Sequence, residues 1–126
     1  MKRYFTTLTS FIFLITLTNA CCFIDPATQA QGLIQKGKYE DAIKLLEFQY
    51  KSKPNSIPIK SLLAQTYSDY GLALTRDENK PPRVKYPMAK EQLAMALALN
   101  PYLKDAKDMY EMIEKIQQSF AANKLE

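Results

Sequence analysis

The sequence contains no histidine and no tryptophan among its 126 residues. Histidine is the commonest general base at neutral pH and the commonest ligand of transition metals. A catalytic site or a metal site in this chain would therefore have to be built without it. Glycine occurs three times, always singly, which leaves no glycine-rich loop to hold a phosphate group. A glycine content this low also favours helices over a turn-rich β fold. We therefore expect an all-α protein.

Cysteine is limited to the adjacent pair Cys21 and Cys22. A disulfide between neighbouring residues is strained, and no third cysteine is present to form another bridge. Two thiols are also too few ligands for a metal site. A nucleophilic serine or cysteine would have to use a lysine or a carboxylate as its base. From these absences we predict a non-enzymatic protein without cofactor, metal or catalytic residues.

The N-terminal residues have the pattern of an export signal. Lys2 and Arg3 precede a stretch that carries no charge before Asp25 and is strongly apolar over 11–17. A basic start followed by an apolar centre and a small residue is typical of a secretory signal peptide. We therefore interpret residues 1–20 as a signal peptide or membrane anchor, and 21–126 as the folded domain.

Cys21, preceded by Ala20, resembles the lipid-attachment cysteine of bacterial lipoproteins. Three outcomes remain open: lipidation of Cys21, ordinary cleavage after Ala20, or an uncleaved anchor, since about 20 apolar residues can span a bilayer. All three place the domain outside the cytoplasmic membrane, because basic residues stay inside. The expected location is the cell envelope, attached to a membrane in the periplasm or outer membrane.

The charge balance points to no nucleic-acid partner. The whole chain has 17 basic and 13 acidic residues. Without Lys2 and Arg3 the basic count falls to 15, so the domain would carry a net charge of only +2. A net charge this small gives no reason to expect binding to nucleic acid.

Two series of residues recur with the same spacing. Their gaps agree except for one, which is longer by 13 residues in the second series, and their first members are 34 residues apart. Glycine at the third position can end a helix in the left-handed conformation, and proline at the last position cannot continue one. The series are Ala30, Leu33, Gly37, Ala42, Leu46 and Pro54, and Ala64, Tyr67, Gly71, Ala89, Leu93 and Pro101.

This period and these residues resemble the tetratricopeptide repeat (TPR), a pair of antiparallel helices of about 34 residues. The resemblance implies a short α-solenoid of two helix pairs, unit one at 25–54 and unit two at 57–101, followed by a capping helix at 102–123. Two units and a cap lie near the lower limit for independent stability, so a homodimer is among the expected assemblies. An unrelated five-helix bundle is the alternative fold.

Local signals define the predicted helix ends. Asp25 and Ser56 stand where side chains cap helices, and Asn100 can cap the last one. Apolar residues recur at helical spacing along that last helix, with charged residues elsewhere, which predicts a polar outer face. The predicted helices run from Pro26 to about Lys36, Tyr39 to Ser52, Ile57 to about Thr75, Met88 to Leu99, and from Asn100 to about Ala122.

The resemblance also implies how the protein works. TPR proteins bind peptides or helices in a concave groove lined by the first helix of each unit, which suggests an interaction scaffold or adaptor. The alternatives are that the matching residues are ordinary solvated positions, or that the groove is filled by a neighbouring copy in a self-assembling structural protein. The matching residues are Gln31, Gln35, Ser61, Gln65, Ser68 and Asp69.

The extra residues of the second series form an insertion at about 74–87. Three prolines, Pro81, Pro82 and Pro87, predict an extended path for it. Long ordered loops often bind partners, although many are passive linkers, and both interpretations stay open. The candidate partner-contacting side chains of this arm are Arg76, Arg83, Lys85 and Tyr86.

Overall fold

The computed structural model describes residues 25–122, which form five α-helices and no β-strand. The all-α class is confirmed for this part of the chain. Residues 1–24 and 123–126, which include the predicted signal or anchor segment and Cys21, lie outside the described residues. No described helix is both long and apolar enough to span a bilayer. The helices are α1 (Pro26–Gln35), α2 (Tyr39–Ser52), α3 (Ile57–Arg76), α4 (Pro82–Leu99) and α5 (Lys104–Ala122).

Helix α1 begins and ends as its sequence predicts. The Asp25 carboxylate accepts a hydrogen bond from the Thr28 N–H at 3.4 Å. At the other end Gly37 has a φ of 71°, and its N–H donates to the Ile34 carbonyl at 2.9 Å. The Lys38 N–H donates to the Leu33 carbonyl at 2.9 Å, which completes the hydrogen-bond pair typical of a left-handed glycine cap. Helix α2 therefore starts at once, at Tyr39.

Gly71 differs from Gly37, its counterpart in the repeated series. It lies inside α3 and is buried, so it does not end a helix. A Cβ atom placed on Gly71 would lie 2.7 Å from the Leu93 Cγ and 3.2 Å from the Ala89 carbonyl oxygen. The missing side chain lets α4 approach α3 closely.

The predicted extended path over 74–87 is wrong. Residues 74–76 complete α3, and α4 begins at Pro82, so only 77–81 connect the two helices. Proline suits the first turn of a helix because its φ is already helical and its missing N–H would have no partner there. Pro87 then lies within α4. The helix starts six residues before the predicted Met88.

The other two predicted caps behave differently from Asp25. Ser56 occupies the N-cap position of α3, but its side chain makes no capping hydrogen bond. The Asn100 side chain accepts a hydrogen bond from the Tyr102 N–H at 3.1 Å, which closes the turn at Pro101. Helix α5 consequently begins at Lys104, not next to Asn100.

The core is built from small residues at the helix contacts and larger ones between them. Five alanines of the first four helices are fully buried: Ala30, Ala42, Ala64, Ala89 and Ala96. Leu46, Leu93 and Ile113 are the large apolar side chains that are completely enclosed. Alanine at these contacts allows the backbones to approach, while leucine and isoleucine fill the space between them.

The helices pack mainly with their neighbours in the chain. Helix α1 packs on α2, α2 on α3, α3 on α4 and α4 on α5, and the most extensive of these contacts joins α3 and α4. Helix α3 also contacts α1 and α5. Among the described residues, no Cα atom of α1 lies within 8 Å of one in α5, and none of α2 lies within 8 Å of one in α4.

Candidate interaction surfaces

Five of the six residues predicted for the partner groove remain accessible. Gln31 and Gln35 are exposed on α1, Ser61 and Gln65 are exposed on α3, and Asp69 is half-buried. The Gln65 Nε2 donates a hydrogen bond to the Asp69 Oδ1 at 2.9 Å. Because α1 and α3 are in contact, these side chains lie on neighbouring helices.

The sixth residue, Ser68, is only 2% exposed, so its prediction as a partner contact is wrong. Its neighbours Thr66 and Tyr67 are buried as well. Successive helical residues are about 100° apart, so three buried residues in a row require cover on more than one side of the helix. Helix α3 has that cover because all four other helices contact it.

Two tyrosines of α3 bind two glutamates of α2. The Tyr67 hydroxyl donates to the Glu47 Oε1 at 2.5 Å, and the Tyr70 hydroxyl donates to the Glu40 Oε1 at 2.6 Å. Burial, reinforced by the hydrogen bond to Glu40, raises the pKa of Tyr70 to about 12. Burial and the bond to Glu47 raise the pKa of Tyr67 still further. At neutral pH both tyrosines are therefore hydrogen-bond donors and not bases.

This interface was not foreseen, although its spacing is visible in the sequence. Glu40 and Glu47 are seven residues apart on α2, and Tyr67 and Tyr70 are three apart on α3, so each pair shares one helix face. The ring of Tyr39 also stacks on that of Tyr70, with centroids 5.5 Å apart. What the sequence alone does not show is that these two faces meet.

An ion pair joins α4 to α5. The Lys90 Nζ donates to the Glu114 Oε1 at 2.9 Å and lies 5.0 Å from the centroid of the Tyr110 ring. The hydrogen bond to Glu114 raises the pKa of Lys90 above its ordinary value. Both charged ends are partly exposed, so the pair orients the two helices more than it stabilises them.

One cleft among the described residues, which we call the α4–α5 groove, has a volume of about 830 Å³. It lies between the beginning of α4 and the end of α5. From α5 it is lined by Gln117, Phe120 and Ala121. From the connection and first turns of α4 it is lined by Pro81, Pro82, Arg83, Tyr86 and Pro87.

The four predicted arm residues are placed on helices, and two of them meet at this groove. Arg76 is the last residue of α3 and is exposed. Arg83 and Tyr86 line the groove. The Lys85 Nζ donates to the Asp77 carbonyl oxygen at 3.2 Å and lies 5.7 Å from the centroid of the Tyr86 ring.

Residues 25–122 contain no group of three histidine, cysteine, aspartate or glutamate side chains arranged to hold a metal ion. Comparison of the chain with protein-family models, curated proteins and solved structures finds no match. Its function is therefore inferred from its own residues and geometry.

Proposed function

We propose that this chain is a non-enzymatic scaffold of the bacterial cell envelope that binds a peptide or helix of a partner protein. The observation that carries the proposal is the open row of helices α1, α3 and α5. Helix α3 contacts both of the others, while those two do not contact each other within the described residues. A row of this kind offers an extended surface for a strand or helix of a partner.

The same packing supports a TPR-like arrangement. Helices α1 and α2 would form one unit, α3 and α4 the second, and α5 the terminal helix. Equivalent positions of the two series have the same burial, since Ala42 matches Ala89 and Leu46 matches Leu93, all fully enclosed. We propose that the units stack as a short α-solenoid.

The proposed binding surface consists of the exposed side chains of Gln31, Gln35, Ser61 and Gln65, with Asp69 beside them. Each glutamine amide both donates and accepts hydrogen bonds. Side chains of this type can pair with the backbone N–H and C=O groups of an extended peptide, whatever its sequence. The surface therefore suits recognition of a peptide backbone more than of a charged group.

To test this surface, the double variant Gln35→Lys with Gln65→Lys is compared with the wild type in capture of partners from envelope extract. Lysine adds charge and bulk, and at position 65 it can still pair with Asp69 four residues later. The matched control is Gln29→Lys with Asn55→Lys, two exposed amide side chains outside both this surface and the cleft between α4 and α5. We expect the first variant to lose proteins that the control retains. Equal capture by both would show that this surface does not bind the partner.

We also propose that residues 1–20 direct export and that Cys21 carries a lipid, which would hold the scaffold on a membrane in the periplasm or outer membrane. The pattern of a basic start, an apolar centre and Ala20–Cys21 supports this. Replacing Cys21 with serine should abolish fatty-acid labelling of the chain. Labelling that persists would exclude Cys21 as the only lipidated residue.

Self-assembly is the second candidate function, and one observation favours it. Phe48, Ile57 and Tyr102 are large side chains that are 65%, 79% and 91% exposed, so a second copy packed against them would bury apolar surface. Analytical ultracentrifugation over a range of concentrations measures association directly. If the double variant Gln35→Lys with Gln65→Lys prevents association, the proposed surface is filled by a second copy. If the chain stays monomeric at all concentrations, this candidate is excluded.

A further inference from the structure

We infer that the α4–α5 groove is a second binding site, for a partner segment that has an apolar or aromatic anchor flanked by carboxylates. It shares no residue with the surface of Gln31, Gln35, Ser61, Gln65 and Asp69. Each site can therefore be present or absent independently of the other. Four properties of the groove support the inference: its size, its apolar and proline-rich wall on the α4 side, the position of Pro87 and the exposed charge of Arg83.

The groove is large enough for several side chains of a peptide. Its volume of about 830 Å³ lies within the roughly 300–1,000 Å³ of typical ligand sites. Phe120 is 58% exposed at its edge, although it is one of the larger apolar residues of the chain. An aromatic side chain left exposed beside a concave surface is a natural contact for an apolar anchor.

The side of the lining that α4 and the connection before it provide is rigid before any ligand arrives. Pro81, Pro82 and Pro87 have fixed φ angles and no backbone N–H, so their surface is apolar and loses little freedom on binding. The Tyr86 ring completes this wall and is itself packed against the core. A preformed apolar wall reduces the entropy cost of holding a flexible peptide.

Pro87 breaks a local rule of helix formation. A proline inside a helix removes one backbone hydrogen bond, here the bond that residue 87 would donate to the Arg83 carbonyl. The Pro87 side chain is exposed, so it does not repay this loss by filling the core. It does line the groove. Positions that break a local rule without a packing gain are expected at functional sites.

The positive charge at the groove indicates that the partner segment carries carboxylates. Arg83 is the one charged residue among the described residues that line the groove, and no aspartate or glutamate is among them. The ammonium group of Lys85 is bound to the Asp77 carbonyl oxygen, whereas Arg83 is exposed and makes no ion pair within the described residues. A guanidinium group at the edge of an apolar groove is suited to bind a carboxylate with two hydrogen bonds.

An anionic membrane could also attract a basic and aromatic surface. The cleft is concave, however, and it holds Tyr86 and the three prolines between two helices. A bilayer would contact protruding side chains first, whereas a peptide can enter a cleft. These observations favour the peptide, and membrane binding is one outcome of the test.

The test begins with the full chain, solubilised in a mild detergent and exposed to a phage-displayed library of random peptides. We expect enriched sequences to combine leucine, isoleucine or aromatic residues with more acidic than basic ones. A synthetic version of one enriched peptide is then labelled with tryptophan. Because the protein has no tryptophan, the fluorescence of the peptide alone reports binding.

Two pairs of variants determine whether the peptide binds in the α4–α5 groove. Arg83→Glu and Phe120→Ser alter the groove, while Arg76→Glu and Met112→Ser make the same changes at exposed residues outside its lining. All four side chains are exposed, so the variants should fold like the wild type. Circular dichroism checks this. We expect each groove variant to raise the Kd at least tenfold and each control to change it less than twofold.

Other outcomes would overturn the inference. Enriched peptides without an acidic excess, or a Kd that Arg83→Glu leaves unchanged, would contradict the charge argument. Binding to phosphatidylglycerol vesicles that requires Arg83 and Phe120, with no peptide enriched, would identify a membrane surface instead. Self-association that Phe120→Ser abolishes and no peptide prevents would identify a second copy as the occupant. None of these results depends on whether Gln35 and Gln65 contact a partner.

Discussion

At the scale of single residues, the three glycines of this chain meet three different surroundings. Gly37 has a positive φ of 71°, which other residues adopt at a cost. Gly71 has an ordinary helical conformation, but the Leu93 side chain occupies the space where a Cβ would be. Gly32 lies inside α1, and a Cβ there would have open space for at least 4 Å. The same substitution should therefore have different effects at the three positions.

We predict that Gly71→Ala lowers the free energy of unfolding by about 1–2 kcal/mol, because overpacking outweighs the better helix propensity of alanine. Gly37→Ala should lower it by about 1–2 kcal/mol through the left-handed backbone. Gly32→Ala should raise it by about 0.5–1 kcal/mol. Urea unfolding of the three variants measures these values. If Gly71→Ala were as stable as Gly32→Ala, the close approach of α4 to α3 would be wrong.

Sequence alone predicts one of these environments and not another. Gly37 stands between two amphipathic segments, so its role as a helix end can be inferred locally. Gly71 has the same place in the repeated series, yet Leu72 and Leu74 after it continue the helix, and Leu74 is buried. Its actual role depends on Leu93, which is 22 residues away. The spacing of residues along the chain does not show that Gly71 and Leu93 come into contact.

At the scale of helices, α2 and α3 are joined by two tyrosine hydroxyls that must remain protonated. Tyr70 donates to Glu40 and Tyr67 donates to Glu47. Once a tyrosine ionises, its hydrogen bond is lost and two negative oxygens face each other. We therefore expect the packing of α2 on α3 to be stable at neutral pH and to weaken at alkaline pH.

We predict that stability falls as pH rises from about 10 to about 12. The pKa of Tyr70 is raised from 10.0 in the unfolded chain to about 12 in the folded one, so its contribution is complete below pH 10 and is lost as pH approaches 12. Tyr67 responds in the same direction at higher pH. Urea unfolding at a series of pH values measures the loss.

Phenylalanine variants assign this loss to the two residues. Tyr70→Phe and Tyr67→Phe should each cost about 1 kcal/mol at neutral pH, because a carboxylate loses its donor. Tyr70→Phe should also flatten the decline between pH 10 and 12. The control is Tyr102→Phe, at a residue 91% exposed, which should leave the pH dependence unchanged. An equal alkaline decline in Tyr70→Phe would contradict this assignment.

Helices with strong end signals could be predicted, and the groove could not. The bounds of α2 were predicted as Tyr39 to Ser52, because Gly37 before it and Pro54 after it act locally. The start of α4 was missed because three prolines were interpreted as an extended segment, although proline at the first helical position was a sufficient signal. The groove requires α4 and α5 to lie side by side, and no residue of either helix shows this alone.

At the scale of the whole molecule, the helices differ in how many of their residues are buried. Helix α3 contains seven buried residues, whereas α1 contains only Ala30. Helix α5 contains Ala106 and Ile113, and its residues beyond Gln117 are exposed. The free energy of local unfolding should therefore be lowest in α1 and α5, at the two ends of the row, and highest in α3 at its centre.

We predict a gradient of amide hydrogen exchange along the row. Amides of α3 and of the buried half of α4, from Ala89 to Ala96, should exchange most slowly. Amides of α1 and of the last turns of α5 should exchange fastest. Exchange followed by mass spectrometry at neutral pH measures this. One common exchange rate for all five helices would instead indicate a single cooperative unit.

Of the five helices within residues 25–122, only α3 contacts all the others. A nick in the connection 77–81 would give two fragments, and neither would hold a complete interior, because α3 belongs to the first and its most extensive partner, α4, to the second. The fragments would have to meet before either could fold fully. A protease or a gene fusion that cuts at 77–81 would therefore not yield two independent halves, and that same dependence makes this connection suited to conditional reassembly from two pieces.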